Sequence, residues 1–386
     1  MGLFGLGTPD VKALEKAGDA RRLTKALGNK KASIRADAAE ALGRIGGAGA
    51  ARDLVDALSD GDAGVREAAG GALVRLGHDA TADVVGALES PDRRVRARAC
   101  RTLGEIKDPE AVEPLVARLT DAERRVRSRA VEALGCLGAV EHATAVAGLL
   151  ADEDEEVRDA ASAALRHLGA DAAAAIVKDL ASDNAGEREA SAKALTAMGK
   201  PALSSVLIAT SAADKRVRAR SAAILGDIGD ASAVPRLLDM LDDNQRRTRM
   251  RAAEALGKLQ AADAVPKIVP MLDDSEQEVR AAAESALVAI GEAALPALRK
   301  TLSSESQRVR ARGIHAVGML EDRKSVAKLV ELLGDDARRV RARAAEALGR
   351  IEDASSEKAL RPLLKDPEQE VRDAAATALA RFAGFM

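Results

Sequence analysis

The sequence predicts an all-α fold, a right-handed α-solenoid (α/α superhelix) of about twelve two-helix repeats of 30–31 residues. A Val-Arg motif or a close variant recurs at this spacing along the whole chain. Aromatic residues make up 1% of the composition while AVILMFWYC residues reach 47%, so the core has to come from close packing of small and aliphatic side chains, as between helices. Alternating β-branched patterns, which would indicate strands, are absent.

The repeats are aligned on the arginine of the Val-Arg motif, here called the anchor arginine. The anchors are Arg35, Arg66, Arg96, Arg127, Arg158, Arg188, Arg218, Arg249, Arg280, Arg310, Arg341 and Arg372. Because no linker or change of composition divides the chain, we expect one array over residues 1–386. It has an N-terminal cap over 1–18, repeats over 19–380 and a C-terminal end over 381–386. Leu3, Phe4 and Leu6 are expected to form an apolar part of the cap.

One repeat shows the pattern of helices. Apolar residues at helical spacing predict a first helix over Glu110–Leu119 and a second over Glu123–Leu137. Asp108 followed by Pro109 predicts the N-cap of the first helix, and Gly138 predicts the C-terminal end of the second. Two helices of this length cannot bury their apolar faces alone, whereas stacked neighbours can.

The residues of this repeat also carry a family resemblance. They match the pattern L-x-D…V-R-x-x-A-x-x-A-L-G-x-x-G at Leu119, Asp121, Val126, Arg127, Ala130, Ala133, Leu134, Gly135 and Gly138. The pattern resembles the short HEAT-like repeats of the phycobilisome-lyase type, which are armadillo-like helical arrays. The resemblance extends over nearly the whole chain and implies a solenoid scaffold, without specifying a function.

The repeats fall into two classes, here called long and short. Long repeats, with anchors Arg35, Arg96, Arg127, Arg218, Arg249, Arg310 and Arg341, are followed by a 31-residue step and have glycine eight residues after the anchor. Those glycines are Gly43, Gly104, Gly135, Gly226, Gly257, Gly318 and Gly349. Short repeats are followed by a 30-residue step and have Val74, Arg166, Thr196 or Val288 there, and the last repeat, with Ala380, joins them.

Extra arginines mark the long repeats. Six of the seven long repeats have an arginine two residues after the anchor and a basic stretch before it, whereas the short repeats are neutral or acidic there. The candidate partner-binding residues are Arg94, Arg98, Arg125, Arg129, Arg216, Arg220, Arg247, Arg251, Arg308, Arg312, Arg339 and Arg343. We expect three cationic patches separated by acidic surface, consistent with 59 basic against 61 acidic residues.

Two interpretations of these arginines stay open. They form a solvated face with local i,i+3 ion pairs, Arg129–Glu132, Arg251–Glu254 and Arg343–Glu346, or they form docking patches for acidic segments or phosphates. The anchor arginine recurs in acidic and basic repeats alike, so we expect a structural role for it. That role is a ladder of hydrogen bonds to aspartates or carbonyls of adjacent turns.

The sequence indicates neither a catalytic site nor a metal site. His78, His142, His167 and His315 lie in distant repeats without ligand spacing. HEAT-like deoxyhypusine hydroxylases bind iron through His-Glu pairs, and this chain has no His-Glu dipeptide. Cys100 and Cys136 are expected to be small buried side chains rather than nucleophiles. We expect no cofactor.

We therefore predict a non-enzymatic, cytoplasmic scaffold or adaptor that binds protein partners, including partners with acidic segments, on the concave face. Two alternatives stay open, which are binding of nucleic-acid backbones through the arginines and a lyase-like or chaperone role in cofactor attachment. Nucleic acid is disfavoured because Phe4, Phe382 and Phe385, the only aromatic residues, lie at the chain ends. No apolar run reaches the length of a membrane span.

Overall fold

The computed structural model describes residues 9–47 and 49–383. The described residues form α-helices and short 3-10 turns and contain no β-strand. Contacts divide the chain into two compact units, Met1–Ala202 and Leu203–Met386. Each unit is an all-α solenoid of stacked helix pairs, which confirms the predicted fold class. The predicted apolar cap residues Leu3, Phe4 and Leu6 lie outside the described residues.

The first unit begins with a short helix and continues with helix pairs. Its helices are α1 (Val11–Lys16), α2 (Ala20–Ala26), α3 (Ala32–Ile45), α4 (Ala50–Ala57), α5 (Ala63–Leu76), α6 (His78–Gly86), α7 (Arg93–Ile106), α8 (Val112–Ala117), α9 (Arg124–Leu137), α10 (Ala143–Gly148), α11 (Glu155–Lys178) and α12 (Ala185–Met198). Helix α11 contains two helices joined at Gly169, whose backbone is not helical.

The second unit continues the same alternation. Its helices are the larger part of α13 (Lys200–Ala209), which begins in the first unit, and α14 (Lys215–Ile228), α15 (Val234–Met240), α16 (Arg246–Lys258), α17 (Val265–Ile268), α18 (Gln277–Ile290), α19 (Leu295–Thr301), α20 (Gln307–Met319), α21 (Val326–Leu332), α22 (Arg338–Ile351), α23 (Glu357–Leu360) and α24 (Gln369–Ala383).

The predicted helix pattern is confirmed, with one difference in the first helices. Every anchor arginine lies in the second helix of its pair. The predicted second helix Glu123–Leu137 is α9, whose N-cap is Glu123. The predicted first helix over Glu110–Leu119 is shorter, because a 3-10 turn precedes α8 and another follows it. The Asp108 carboxylate accepts a hydrogen bond from the Glu110 backbone N–H at 3.0 Å, so it caps this segment as predicted.

The anchor arginines of all seven long repeats form a ladder of ion pairs. Each pairs through Nε and Nη2 with both carboxylate oxygens of an aspartate 25 residues later. These pairs are Arg35–Asp60, Arg96–Asp121, Arg127–Asp152, Arg218–Asp243, Arg249–Asp274, Arg310–Asp335 and Arg341–Asp366. The predicted ladder is therefore present, and it links the turn of one repeat to the turn of the next.

Each ladder pair has further hydrogen bonds that satisfy its remaining polar atoms. Arg127 Nη1 donates to the backbone carbonyl of Asp121 at 2.9 Å, and Asp152 Oδ1 accepts from the Asp154 N–H at 2.9 Å. The anchors of the short repeats also donate to carbonyls of their own turn, as Arg66 does to Asp60 and Gly61. The guanidinium thus fixes the turn before its own helix in both classes, and in long repeats it fixes the next turn too.

The glycine that distinguishes long repeats lies at a backbone-to-backbone contact between successive second helices. A Cβ on Gly226 would lie 2.7 Å from Ala255 Cα, and one on Gly349 would lie 2.7 Å from Ala378 Cα. The other five long-repeat glycines face an alanine in the same way. Glycine and alanine allow this approach because larger side chains would hold the helices apart. Long repeats are therefore those whose second helix packs closely on the second helix of the following repeat.

The one-residue difference between the classes lies in the turn after the second helix. In short repeats this turn is made by a glycine, such as Gly77 (φ 62, ψ −134) or Gly291 (φ 77, ψ −137), and the next helix starts at once. Only glycine adopts this conformation without strain. In the six long repeats after the first, a residue with positive φ that need not be glycine follows the helix, for example Lys107 or Glu352, and an extra residue precedes the next helical segment. The first long repeat ends instead at Gly46 (φ 69, ψ −157).

One helical stretch of the described residues, Gln277–Thr301, is long and apolar enough to cross a membrane by length and composition. In the fold this stretch bends at Gly291, where α18 ends before α19. Of its most apolar 18-residue segment, 39% is buried. Helix α18 packs on α16, and α19 packs on α20. The stretch thus consists of a repeat's second helix and the first helix of the following repeat, with apolar faces inside the second unit.

The ladder predicts how stability depends on pH. Hydrogen bonding to the anchor arginine lowers the pKa of Asp60, Asp152 and Asp366. Burial alone would raise the pKa of Asp121, Asp243 and Asp274, but the bonds from arginine and backbone hold it below the ordinary value. A lowered native pKa contributes stability that is fully present above the unfolded pKa of about 3.9 and is lost as the pH falls through the native pKa.

We therefore expect the urea midpoint to fall steeply once the pH drops below about 4. Asp152→Asn should be less stable at neutral pH and should lose less of its remaining stability on acidification. Urea titrations of both proteins from neutral to acidic pH measure this difference. Identical acid dependence of wild type and Asp152→Asn would contradict a contribution from the ladder.

Candidate binding grooves

The twelve candidate arginines occupy two kinds of position. Those before the anchor, Arg94, Arg125, Arg216, Arg247, Arg308 and Arg339, lie in the first turn of a second helix and are exposed. Those after the anchor, Arg98, Arg129, Arg220, Arg251, Arg312 and Arg343, lie one helical turn further on and are half-buried. Because residues four apart share a face of a helix, each pair projects to the same side.

In the first unit these arginines line a groove between α5, α7 and α9. The groove, here called groove 1, has a volume of about 860 Å³ and contains Arg66, Arg94, Arg98, Arg101, Arg125 and Arg129 in its lining. Its whole lining has eight arginines and four carboxylates, so it is positively charged. The sequence predicted the two arginines on each of α7 and α9 but missed Arg66 and Arg101, which face the same space.

Some of the arginines in groove 1 are neutralised and others are not. Arg101 Nη2 pairs with Glu67 at 2.9 Å, and Arg129 Nη1 pairs with Glu132 at 2.5 Å. In contrast, Arg94 and Arg125 have no carboxylate partner among the described residues. The groove therefore presents uncompensated positive charge at its rim.

Arg98 lies at the floor of groove 1 in a cationic setting. Its Nη1 donates to the Leu58 backbone carbonyl at 3.2 Å. Burial lowers the pKa of Arg98, and repulsion from Arg66, Arg125 and Arg101 lowers it further, against the opposing effect of Asp92. An anion bound beside Arg98 would relieve this repulsion.

In the second unit the equivalent residues line groove 2, between α18, α20 and α22. Groove 2 has a volume of about 430 Å³. Its lining includes Arg280, Glu284, Arg308, Arg312, His315, Arg339 and Arg343. The two grooves correspond residue by residue, for example Arg66 to Arg280 and Arg98 to Arg312. In both, a short repeat is followed by two long repeats.

The floor of groove 2 differs from that of groove 1. The Glu284 carboxylate bonds both Arg312 Nη1 and His315 Nδ1, and its side chain is 14% exposed. Burial alone would raise the pKa of Glu284, but the hydrogen bond from His315 and the charges of His315 and Arg312 hold it below the ordinary value. Neither Glu284 nor His315 was singled out as a site residue from the sequence.

The remaining candidates, Arg216, Arg220, Arg247 and Arg251, lie on α14 and α16 and outside both grooves. Arg216 pairs with Asp214 at 3.0 Å. The predicted i,i+3 pairs are all present, with Arg251 at 2.8 Å from Glu254 and Arg343 at 2.7 Å from Glu346. Three of the twelve arginines thus form the predicted local ion pairs.

The residues considered for chemistry are dispersed, with one exception. Among the described residues, His78, Asp108 and Glu110 place three potential ligand atoms within 4.8 Å of one another. The Asp108 carboxylate caps the turn at Glu110 and also accepts a hydrogen bond from Thr81 Oγ1 at 2.6 Å. Hydrogen bonds from Thr81, from the Glu110 backbone and from His78 lower the pKa of Asp108 to about 2. This cluster is accounted for by capping between successive repeats.

The two cysteines differ from the prediction. Cys100 is buried as expected, and burial raises the pKa of its thiol to about 12. Cys136 is exposed, contrary to the expectation of a buried side chain. Its position on α9 directly follows the contact residue Gly135, so its side chain points away from the next helix.

Comparison with solved structures finds similar chains at low sequence identity. An engineered protein is 22% identical over 95% of this chain and 99% of its own, with a TM-score of 0.34. Importin beta is 16% identical over 95% of this chain and 55% of its own, with a TM-score of 0.47. Human deoxyhypusine hydroxylase is 24% identical over 65% of this chain and 99% of its own, with a TM-score of 0.27.

The family assignment rests on sequence. No curated protein matches the chain. The family model described as HEAT repeats matches residues 11–74, 51–135, 82–166, 114–196, 200–288, 285–349 and 334–384. These segments cover nearly all of the chain. The phycobilisome-lyase subtype stays a prediction. The chain belongs to the HEAT-repeat family.

Proposed function

We propose that this HEAT-repeat array is a non-enzymatic scaffold that binds acidic segments of partner proteins in its arginine grooves. The observation that carries the proposal is the rim of groove 1, where Arg94 and Arg125 project into one cavity without a carboxylate partner among the described residues. Groove 2 repeats this arrangement with Arg308 and Arg339. A guanidinium offers a fork of donors that matches a carboxylate, so a Glu-rich or Asp-rich segment is the complementary ligand.

The distribution of charge favours an acidic polypeptide over a nucleic acid. The chain has a net charge of −2, and the short repeats bring acidic turns such as 152–156 between the basic ones. A continuous phosphate backbone would have to pass over this acidic surface, whereas an acidic side-chain cluster fits one groove. Base stacking would need aromatic side chains, and the described part of the chain has Phe382 alone.

A cytoplasmic location belongs to the same proposal. Both cysteines are free thiols, one buried and one exposed, as is common where thiols stay reduced.

The test compares charge reversal at the rim with charge reversal elsewhere. The variant Arg94→Glu/Arg125→Glu changes groove 1, and Arg21→Glu/Arg52→Glu is the matched control with the same change in net charge. Arg21 and Arg52 are exposed on first helices of the same unit. The probes are a fluorescent Glu-rich peptide, a Gln-rich peptide of equal length and duplex DNA, titrated by anisotropy at low and high salt.

We expect wild type to bind the Glu-rich peptide, with affinity falling as salt rises, and the rim variant to lose about tenfold or more, equivalent to about 1.4 kcal/mol. The control variant should bind as wild type does. Equal binding of the Glu-rich and Gln-rich peptides, or equal losses in both variants, would refute the proposal. Tighter binding of duplex DNA than of the Glu-rich peptide would instead favour the nucleic-acid alternative.

A further inference from the structure

The two grooves are built largely from equivalent residues, and a glutamate that lines groove 2 has no counterpart in the lining of groove 1. Residue 284 on α18 corresponds to residue 70 on α5, because each lies four residues after the anchor of its short repeat. The first is glutamate and the second is glycine. The arginine that pairs with Glu284, Arg312, has its equivalent in Arg98, which lines groove 1.

In groove 2 this glutamate completes the floor from within the chain. Its carboxylate bridges Arg312 and His315, and the Arg312 side chain is 18% exposed. In groove 1 the corresponding Arg98 bonds a backbone carbonyl and stays among like charges. A Cβ added at Gly70 would lie 3.6 Å from Arg101 Nη2 and 3.7 Å from Thr102 Oγ1, which is ordinary contact distance. A Cβ at residue 70 therefore fits beside Arg101 and Thr102 without overlap.

Glu67, a carboxylate in the lining of groove 1, does not take that role. The Glu67 carboxylate lies 2.9 Å from Arg101 Nη2, and the Glu67 side chain is 71% exposed. Hydrogen bonding and attraction to Arg101 lower the pKa of Glu67, with a smaller effect from Arg98. Glu67 thus compensates Arg101, and its equivalent in groove 2 is Ala281.

We infer that Glu284 makes, within groove 2, the contact with Arg312 that a partner's carboxylate makes with the equivalent Arg98 in groove 1. Groove 1 is then the high-affinity site for an acidic segment, and groove 2 is closed at its floor by its own side chain. This inference rests on the proposed function, because it assumes that acidic segments bind the grooves. It adds a specific carboxylate site and a reason for two similar grooves to differ in affinity.

Two exchanges at the equivalent positions test the inference. Gly70→Glu places an internal carboxylate in groove 1, and Gly70→Gln fills the same space without charge. Glu284→Ala opens the floor of groove 2, and Glu284→Gln keeps its size without charge. The number and affinity of Glu-rich peptides bound per chain are measured by isothermal titration calorimetry, with circular dichroism as the check on folding.

We expect wild type to bind one peptide tightly. Gly70→Glu should weaken this binding about tenfold more than Gly70→Gln does, and Glu284→Ala should add a second tight peptide. Glu284→Gln should also bind the Glu-rich peptide more tightly in groove 2, because Arg312 loses its charged partner. If Gly70→Glu binds as well as Gly70→Gln, or if Glu284→Ala still binds a single peptide, the inference is wrong. These outcomes leave the proposed function intact as long as Arg94→Glu/Arg125→Glu still weakens peptide binding about tenfold or more.

Discussion

Replacing Asp152 by alanine should lower the free energy of unfolding by about 2 to 4 kcal/mol. The side chains of Arg127 and Asp152 are 10% and 8% exposed, and removal of the aspartate leaves a mostly buried guanidinium without its charged partner. The loss should exceed that of an exposed pair, which is worth about 1 kcal/mol or less. Urea unfolding of the variant and of wild type measures the difference.

A matched surface pair serves as the control. Arg124 pairs with Asp154 at 2.8 Å, and the Arg124 side chain is 65% exposed. Arg124→Ala should therefore cost about 1 kcal/mol or less. An Asp152→Ala loss no larger than this would contradict a structural role for the ladder. In a double-mutant cycle, Arg127→Met/Asp152→Leu should recover much of the loss, because replacing a buried ion pair by apolar residues is often close to neutral.

Replacing Gly226 by alanine should destabilise the second unit by about 1 to 3 kcal/mol, because the added Cβ overlaps the facing backbone. That Cβ would lie 2.7 Å from Ala255 Cα, and a helix backbone cannot move aside as a side chain can. A loss of stability would be opposite to the usual effect, since alanine in a helix interior is otherwise favoured over glycine by about 1 kcal/mol. Gly226→Val should cost more than Gly226→Ala.

Gly71 gives the control for this substitution. It lies within α5, and a Cβ there would meet Arg75 Nη1 at 3.9 Å, which is an ordinary contact. Gly71→Ala should therefore be neutral or stabilising by up to about 1 kcal/mol. Thermal unfolding of both variants measures the contrast. A Gly226→Ala protein as stable as wild type would mean that the second helices do not approach so closely.

The sequence predicts the repeat, its helix pairs and the two classes because all three depend on periodic local signals. The anchor at Arg127 and the aspartate at Asp152 recur with one spacing, so a ladder could be predicted before its partners were known. The class glycines could be counted, but their cause needed the structure, since the facing alanine lies in the next repeat. The first helices were predicted too long because the 3-10 turns around α8 carry the same apolar pattern.

The candidate site was predicted less completely than the fold. The arginines marked one face of α7 and α9, but the position of Arg66 and Arg101 in the same groove depends on stacking across three repeats. Glu284 carries no local signal, because a glutamate on a helix is usually solvated. The role of Glu284 depends on its contacts with Arg312 and His315, which follow it by 28 and 31 residues. Cys136 is exposed for a comparable reason, since the helix contact is made by its neighbour Gly135.

Hydrogen–deuterium exchange with and without the Glu-rich peptide tests the central claim most directly. The account predicts slower exchange in the first turns of α5, α7 and α9, which carry Arg66, Arg94 and Arg125, and unchanged exchange in α2 and α4. Protection in groove 1 should disappear in Arg94→Glu/Arg125→Glu. Peptide binding with protection confined to the first helices, or with unchanged exchange in all three turns, would contradict the account.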